Sequence, residues 1–497
     1  MQLRDHAEST KPAVVLVPSG TVVTFADLDA RANRLAHFLR RAGLAPGDTI
    51  AVLMENNEHI HAAMWAARRS GLYYTLVNTH LSASEVSYIT ADSGAKVVMS
   101  SSAMRPLCEQ LSVPSLAAAV IADDDLDGWQ RYPECVAAEP ATPITDERDG
   151  LLLQYSAGST GRPKGIRRPL NSAPAKLTTP VFEALGVTAE SVYLSPAPTY
   201  HTSPAMWTMA AQAVGATTVV MERFDPELAL ETIERYGVTH AQFVPSMFVR
   251  MLRLPKETRR RYDVSSLRRV VHAAAPCPPE IKRQMIDWWG PIVDEYYGSS
   301  EGAGISFIRA EEWLERPGSV GKPMLGEPHI LDEHGTELPV GEIGEVFYGG
   351  GYPFEYLNDE VQTANSRSPQ GWVTVGDVGY LDKDGYLYLT DRRNHMIISG
   401  GVNIYPQETE NMLISHPLVV DAAVFGVPDD VMGQSVKAVV QLTDPTRAGD
   451  DLAADLMTWL RDRLAHYKCP RSISFEAQLP RTDAGKLYKR RLIDKYS

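Results

Sequence analysis

The sequence predicts an α/β protein: a large N-terminal part on parallel sheets, then a short antiparallel section, then a small α+β segment. Three observations carry this. In the first third, apolar runs of strand length alternate with helical patterns: "TIAVLM" (49–54), "KVVMS" (96–100), "AAVIA" (118–122) and "LLLQYS" (151–156). From about Gly318 the texture turns Gly- and Tyr-rich, as in "GEIGEVFYGGG" and "GYLDKDGYLYLTDRR". After Asn394 comes a compact segment with two strand-like runs and one amphipathic helix.

Each element has a local reason. Thr24 with Asp27 three residues on is an N-cap signature. Leu28, Ala32, Leu35 and Leu39 then recur on one helical face, and Gly43 is the stop signal. Strands separated by helices favour parallel sheets covered on both faces. The Asp-Gly turns beyond Gly318 predict short antiparallel strands. In the last segment, "VVDAAVFGV" (419–427) and "SVKAVVQL" (435–442) read as strands. Leu452, Leu456, Trp459, Leu460 and Leu464 mark the helix, and the chain finishes in "LPRTDAGKLYKRRL", basic and loop-like. At 497 residues, two to four domains or subdomains are expected.

Composition excludes several classes. The 44% apolar and 22% charged fractions are those of an ordinary globular protein. A net charge of −14 argues against a nucleic-acid protein held by phosphate contacts. An acidic total still allows a local positive patch for an anionic ligand. No apolar run nears the length of a membrane span, and the first ten residues have no apolar core of a secretory signal. Cys108, Cys135, Cys277 and Cys469 lack metal-ligand or redox spacing, so free thiols in a reducing cytoplasm are expected.

The chemistry centres on "QYSAGSTGRPKG" (154–165). Its spacing does not fit a Walker A loop, but its glycines let backbone N–H groups converge in a phosphate-sized concavity. Ser156, Ser159 and Thr160 add hydroxyls and Lys164 a charge. "YYGSSEG" (296–302) joins an aromatic that can stack on a base to a carboxylate that can hold a hard cation. Asp377 sits in a Gly-flanked turn, where a carboxylate can accept bonds from two sugar hydroxyls. Each segment alone is more often a turn. Read in order, they form a set.

These segments resemble those of the acyl-adenylate-forming superfamily, which includes acyl-CoA synthetases, aryl-CoA ligases, luciferases and peptide-synthetase adenylation domains. The resemblance runs from "TFADLDARANRLAHFLRRAGLAPGDTIAVLMENN" to "PRTDAGKLYKRRL". It implies two parallel-type α/β sheet subdomains plus a small antiparallel β-barrel-like subdomain in residues 1–393. A small mobile α+β domain would then occupy 394–497, with its hinge at Asn394. It implies ATP and Mg²⁺ as cofactors, CoA as co-substrate, and a carboxylic acid activated to acyl-AMP with release of pyrophosphate. An acyl carrier protein as acceptor, a homodimer, and a nucleotide-binding pseudoenzyme are the other readings it leaves open.

Residue by residue, the resemblance places Ser156, Gly158, Ser159, Thr160, Gly161 and Lys164 around the β- and γ-phosphates. Ala157 stands where a serine is common. It puts Tyr297 on the adenine, with Gly298, Ala274 and Ala275 beside it, and Ser300 near the α-phosphate. It puts Glu301 and Thr160 at the metal, and Asp377 and Arg392 on the ribose. Lys486 would bridge substrate carboxylate and α-phosphate as the catalytic lysine. Ser399, Gly400 and Gly401 would line the pantetheine tunnel. His201 gates the acyl pocket, with Thr202, Trp207, Val244, Ala273 and Ser299 as further walls. Ala273 replaces a glycine, so its methyl is expected to intrude on the pocket. Thr202 stands where amino-acid-activating relatives carry an Asp, which disfavours an amino acid and favours an apolar, uncharged acid. That acid would be fatty, aryl, or alicyclic and steroid-like. The pair Arg167-Arg168 reads as solvated rather than as an anion contact.

Overall fold

The computed structural model describes residues 2–156, 163–172, 179–481 and 487–496. Two sheets build the N-terminal part. One has six strands, all parallel, in the order Gln130–Arg131, Ala118–Ile121, Ala95–Ser100, Thr49–Leu53, Tyr73–Leu76, Leu151–Leu152. The other has thirteen, of which six neighbouring strands are parallel: Pro12–Val17, Thr217–Met221, Val192–Ser195, His240–Phe243, Arg269–His272 and Val293–Gly298. A shared core draws Val52 and Met99 from the first sheet, Val14 and Val220 from the second, and Leu28, Leu35, Trp65 and Met209 from helices. The helix Phe25–Arg41 begins at the predicted cap, with Thr24 accepting from the Asp27 N–H at 3.1 Å.

The antiparallel section is not detached. Strand Ser319–Leu325 pairs through its first residues with Leu387–Arg392 and through its last with Ile305–Ile308. It thus carries the thirteen-stranded sheet around a corner. Gly321 makes the corner: its φ is +95°, and a Cβ there would lie 1.9 Å from the Phe307 carbonyl oxygen. No other residue fits both demands.

Two expectations change. The run 151–156 is not one strand. Leu151–Leu152 ends the six-stranded sheet, whereas Gln154–Ser156 joins a separate three-stranded sheet with Lys164–Arg167 and Glu355–Tyr356. The basic tail is not all loop either. Lys489–Tyr496 is a helix whose Leu492 is buried against Phe425 and Val439. Apolar Leu492 and Ile493 among five charges give too weak a periodicity to read from sequence.

The last segment has its own five-stranded sheet, built on the hairpin Val419–Asp429 and Gly433–Leu442, and its own core around Leu413, Val424, Val440 and Leu456. Among the described residues, no helix is long and apolar enough to cross a membrane.

Candidate active site

Four of the sequence-marked segments leave the carboxyl ends of neighbouring parallel strands. Ala197–Thr202 follow Val192–Ser195, Val244 follows His240–Phe243, and Ala273–Ala275 follow Arg269–His272. Ser299–Glu301 follow Val293–Gly298. In open α/β sheets this edge is where ligands sit. The topology therefore gathers residues about a hundred apart in sequence onto one rim.

Three side chains meet where the ribose contacts are expected. The Tyr297 hydroxyl donates to Asp377 Oδ2 at 2.5 Å, and Arg392 Nε donates to Asp377 Oδ1 at 3.1 Å. Asp377 and Arg392 are direct partners across two antiparallel strands, so the sheet register sets their pairing. Burial pushes the Tyr297 phenol well up, and the Asp377 charge adds to this, so it stays a donor.

Ser156 and Lys164 oppose each other as Cα partners across two antiparallel strands. Gly158, Ser159, Thr160 and Gly161 lie outside the described residues, as does Lys486. Lys164 Nζ lies 5.7 Å from the Tyr356 ring centroid, and the Tyr356 hydroxyl donates to Glu301 Oε1 at 3.0 Å. Burial, with the Glu301 charge next, holds that phenol protonated. Tyr356 thus ties the lysine of one motif to the carboxylate of another. Nothing in the sequence near Tyr356 signalled this, because the link depends on Glu355–Tyr356 pairing with a strand about 190 residues earlier.

On the acyl side, Thr202 Oγ1 and Ser300 Oγ are 2.9 Å apart, which joins the pocket motif to the α-phosphate motif. His201 precedes the helix Thr202–Ala213 and packs on Tyr200 with ring centroids 4.6 Å apart. Trp207 is not at the rim. It is 5% exposed, and Tyr296 stacks over it at 5.6 Å while Tyr193 and Phe182 pack around it. Val244 is likewise buried in the core beside Phe243 and Met247. The group that faces Ser203 is Tyr296. Its hydroxyl lies 2.5 Å from Ser203 Oγ and accepts from Gln242 Nε2 at 2.9 Å, while Gln242 also donates to Ser203. Sequence reasoning passed over Tyr296 because it adjoins the more conspicuous Tyr297. Strand alternation turns the two rings to opposite faces.

Ala273 is buried, yet the backbone anomaly falls one residue later: Ala274 has φ +73°, a left-handed conformation. Beneath this segment His272, Lys282 and Glu295 form a buried cluster, with Lys282 Nζ 2.8 Å from Glu295. Burial alone would raise the Glu295 carboxyl, but Lys282 and His272 outweigh it and hold it at about 2.

The expected tunnel residues are a hairpin turn. Ser399 pairs with Val402, and Gly400 and Gly401 between them have φ +57° and +79°. A two-residue turn with both φ positive demands glycine on local grounds. Asn394 is exposed within the turn Arg393–His395.

Of the pair Arg167-Arg168, the first stays at the surface as expected and the second does not. Arg167 Nε donates to Glu355 at 2.6 Å, whereas Arg168 turns inward and donates to the Ser300 carbonyl at 3.1 Å.

A rim of hydroxyls, a buried Asp377 held by Tyr297 and Arg392, and a lysine linked through Tyr356 to Glu301 mark a polar candidate site on an α/β fold. Comparison with known proteins narrows this. Residues 3–355 match the family model of the AMP-binding enzyme, and residues 408–486 match the AMP-binding enzyme C-terminal domain. The chain is 32% identical over 487 residues to a feruloyl-CoA synthase of Amycolatopsis sp, covering 97% of this chain and 96% of that one. It is 30% identical over 504 residues to the fatty acid–[acyl-carrier-protein] ligase ScoC of Streptomyces coeruleorubidus, covering 98% and 94%. The solved anthranilate CoA ligase AuaEII in complex with anthranoyl-AMP superposes with a TM-score of 0.88 at 26% identity, covering 100% and 97%. The chain belongs to the AMP-binding enzyme family, and it is an acid–thiol ligase of that family.

Proposed function

We propose that this enzyme activates an apolar carboxylic acid with ATP and then passes the acyl group to the thiol of CoA. The observation that carries the reading is the convergence of Tyr297, Asp377 and Arg392 beside the Lys164–Tyr356–Glu301 link, on the rim where the acyl motif also ends. In the first step a carboxylate oxygen attacks the α-phosphorus, the bond to the β-phosphate breaks, and pyrophosphate leaves. In the second, the thiol sulfur attacks the acyl carbon, the thiol proton is lost, and AMP leaves. Such steps depend on positioning and on neutralising phosphoryl charge.

The chain's own residues divide that work. Asp377 accepts from the ribose hydroxyls, with Arg392 and Tyr297 fixing its orientation. Ser156 and Lys164, with the residues between them, hold the outgoing pyrophosphate. Ser300 and Thr202 orient the α-phosphate and the acid beside it. Lys486 neutralises the oxygens that share the charge of the attack. His201 gates the acyl entrance, and Asn394 is the hinge between residues 1–393 and 394–497. After rotation there, Ser399, Gly400 and Gly401 admit the thiol.

The donor set fits Mg²⁺. Glu301 offers hard carboxylate oxygen within reach of the phosphate loop, and among the described residues no cluster of three or more His, Cys, Asp or Glu forms an all-protein cage. This is the Mg²⁺ pattern of few carboxylates plus substrate phosphates. The ion, when bound, neutralises charge on the β- and γ-phosphates; Glu301 and Thr160 would hold it.

For the acid, the uncharged Thr202 favours an apolar body, and the feruloyl and anthranilate relatives support aryl acids first. The carrier-protein relative keeps a phosphopantetheine arm as the second acceptor. Pyrophosphate release across fatty, aryl and alicyclic acids tests the first step; thiol consumption with CoA against an acyl carrier protein tests the second. Release with an aryl acid and loss of CoA thiol are expected. No release with any acid overturns the reading, and release without CoA loss moves the acceptor to the carrier protein.

A further inference from the structure

Arg168 lies just beyond the phosphate-loop motif and has no place in the chemistry so far. Its backbone is fixed from one sheet: the Tyr73 hydroxyl donates to the Arg168 carbonyl at 2.7 Å. Its side chain reaches the other. Nη2 donates to the Ser300 carbonyl at 3.1 Å, and the guanidinium lies over the Tyr352 ring at 5.1 Å. Gly302 completes the seat. Its φ is +70°, and a Cβ there would meet Arg168 Nη2 at 2.3 Å, so the guanidinium occupies the space that a side chain at this position would take. The Tyr352 N–H donates to the Gly302 carbonyl at 3.0 Å and holds the ring in place. Burial lowers the pKa of the guanidinium, while the nearby Tyr352 and Glu301 oppose that shift.

The clamped residues are Ser300, Glu301 and Gly302, the turn that presents the metal-side carboxylate. Arg168 itself directly follows the strand Lys164–Arg167, which begins with the lysine of the phosphate-loop motif. One guanidinium therefore fixes the distance between the two halves of the phosphate site. A lysine or a neutral side chain of equal length lacks the planar fork that fits between a carbonyl, a ring and a glycine. We infer that Arg168 is a positioning residue for Glu301, setting the registry of the metal-side turn against the phosphate loop. This rests on the proposed role of Glu301.

The test measures pyrophosphate release and, separately, equilibrium binding of ATP without acid, each against Mg²⁺ concentration, in the full-length enzyme. Arg168→Met is expected to raise the half-saturating Mg²⁺ about tenfold and the KM for MgATP with it, leaving the KM for the acid unchanged; a hydrogen bond from a charged donor is worth that much. Arg168→Lys should recover part of the shift. Gly302→Ala keeps the charge but pushes the fork off Ser300, so it should reproduce the shift without losing Arg168. Unchanged Mg²⁺ curves in Arg168→Met and Gly302→Ala, or a loss of kcat that only follows a lowered melting point, overturn the inference. Glu301→Gln separates the two levels. If it moves the Mg²⁺ curve while the Arg168 variants do not, only the role of Arg168 fails. If Glu301→Gln leaves the curve unmoved, the assignment of Glu301 fails and takes this inference with it.

Discussion

On the sugar side, Tyr297 and Arg392 reach Asp377 from two different strands and lock it by hydrogen bonds, whereas on the C-terminal side Gly400 and Gly401 occupy an exposed hairpin turn. The first is built from side chains that must be present, and Asp377 is 7% exposed. The second, in the proposed thiol step, would work through side chains that must be absent. The two sides should therefore fail differently: side-chain deletion should harm acyl-AMP formation, and side-chain addition should harm thioester formation.

The largest effect is expected at the residue that would join the two sides. Lys486→Ala should slow acyl-AMP formation by about 10²–10³-fold, the usual loss for one preorganised donor to a developing oxyanion. ATP binding should be affected much less. Pyrophosphate release under single turnover, with ATP affinity measured separately, checks both. The residues flanking it are pinned: Arg481 forms two bonds to Asp421 at 2.5 and 2.6 Å, and Lys489 lies 2.8 Å from Glu410. Near-normal acyl-AMP formation in Lys486→Ala would give the charge role to another group.

Next is Gly401. A Cβ there meets nothing within 4 Å, while one at Gly400 would strike Met432 Cε at 2.4 Å. Gly401→Leu therefore tests the approach of the thiol with little local clash, apart from the strain of a positive φ. It should spare pyrophosphate release and slow thioester formation by about 10²-fold, the loss expected when reacting atoms are displaced by about an ångström. Gly401→Asn tolerates the same φ with a smaller side chain and should lose less. Equal losses in both half-reactions would mean that the turn serves folding only.

Asp377→Asn should raise the KM for ATP about tenfold, because it removes the charge from two charge-assisted bonds while keeping the shape. The acid KM should not follow. If it does, the carboxylate supports the whole rim rather than the sugar side.

The same contrast separates what could be read in the sequence from what could not. The parallel sheets were legible because each strand is a short apolar run between helical patterns, and Asp377 and Arg392 because they fall in a recognisable order of segments. Arg168, Tyr296 and Tyr356 were not. Their roles depend on partners such as Ser300, Gln242 and Glu301, supplied by segments about 55 to 130 residues away, and no local spacing encodes such a meeting. The break at Leu153 was hidden for a related reason. "LLLQYS" is apolar throughout its first half, and only the competing pull of two sheets divides it.

Acid stability extends the contrast to the whole chain. Both parts bury ion pairs, Lys489 with Glu410 in the C-terminal part and Lys282 with Glu295 in the N-terminal part, but the N-terminal part also buries His61 at 0% exposure with Gln212 as its neighbour. Burial alone pulls His61 from 6.5 down to about 4, so it is neutral in the fold. Below pH 6.5 the unfolded chain takes up a proton there that the folded chain refuses. Stability from this site is complete above pH 6.5 and is lost as pH falls towards 4. The slope is about 1.4 kcal/mol per pH unit, so roughly 2 kcal/mol should go between pH 6.5 and 5. His61→Asn keeps an acceptor for Gln212 and cannot titrate. Denaturant unfolding of both forms at several pH values should show that part of the slope vanish in the variant, whatever its stability at neutral pH. An unchanged slope would place the acid sensitivity at other groups and leave His61 a packing residue.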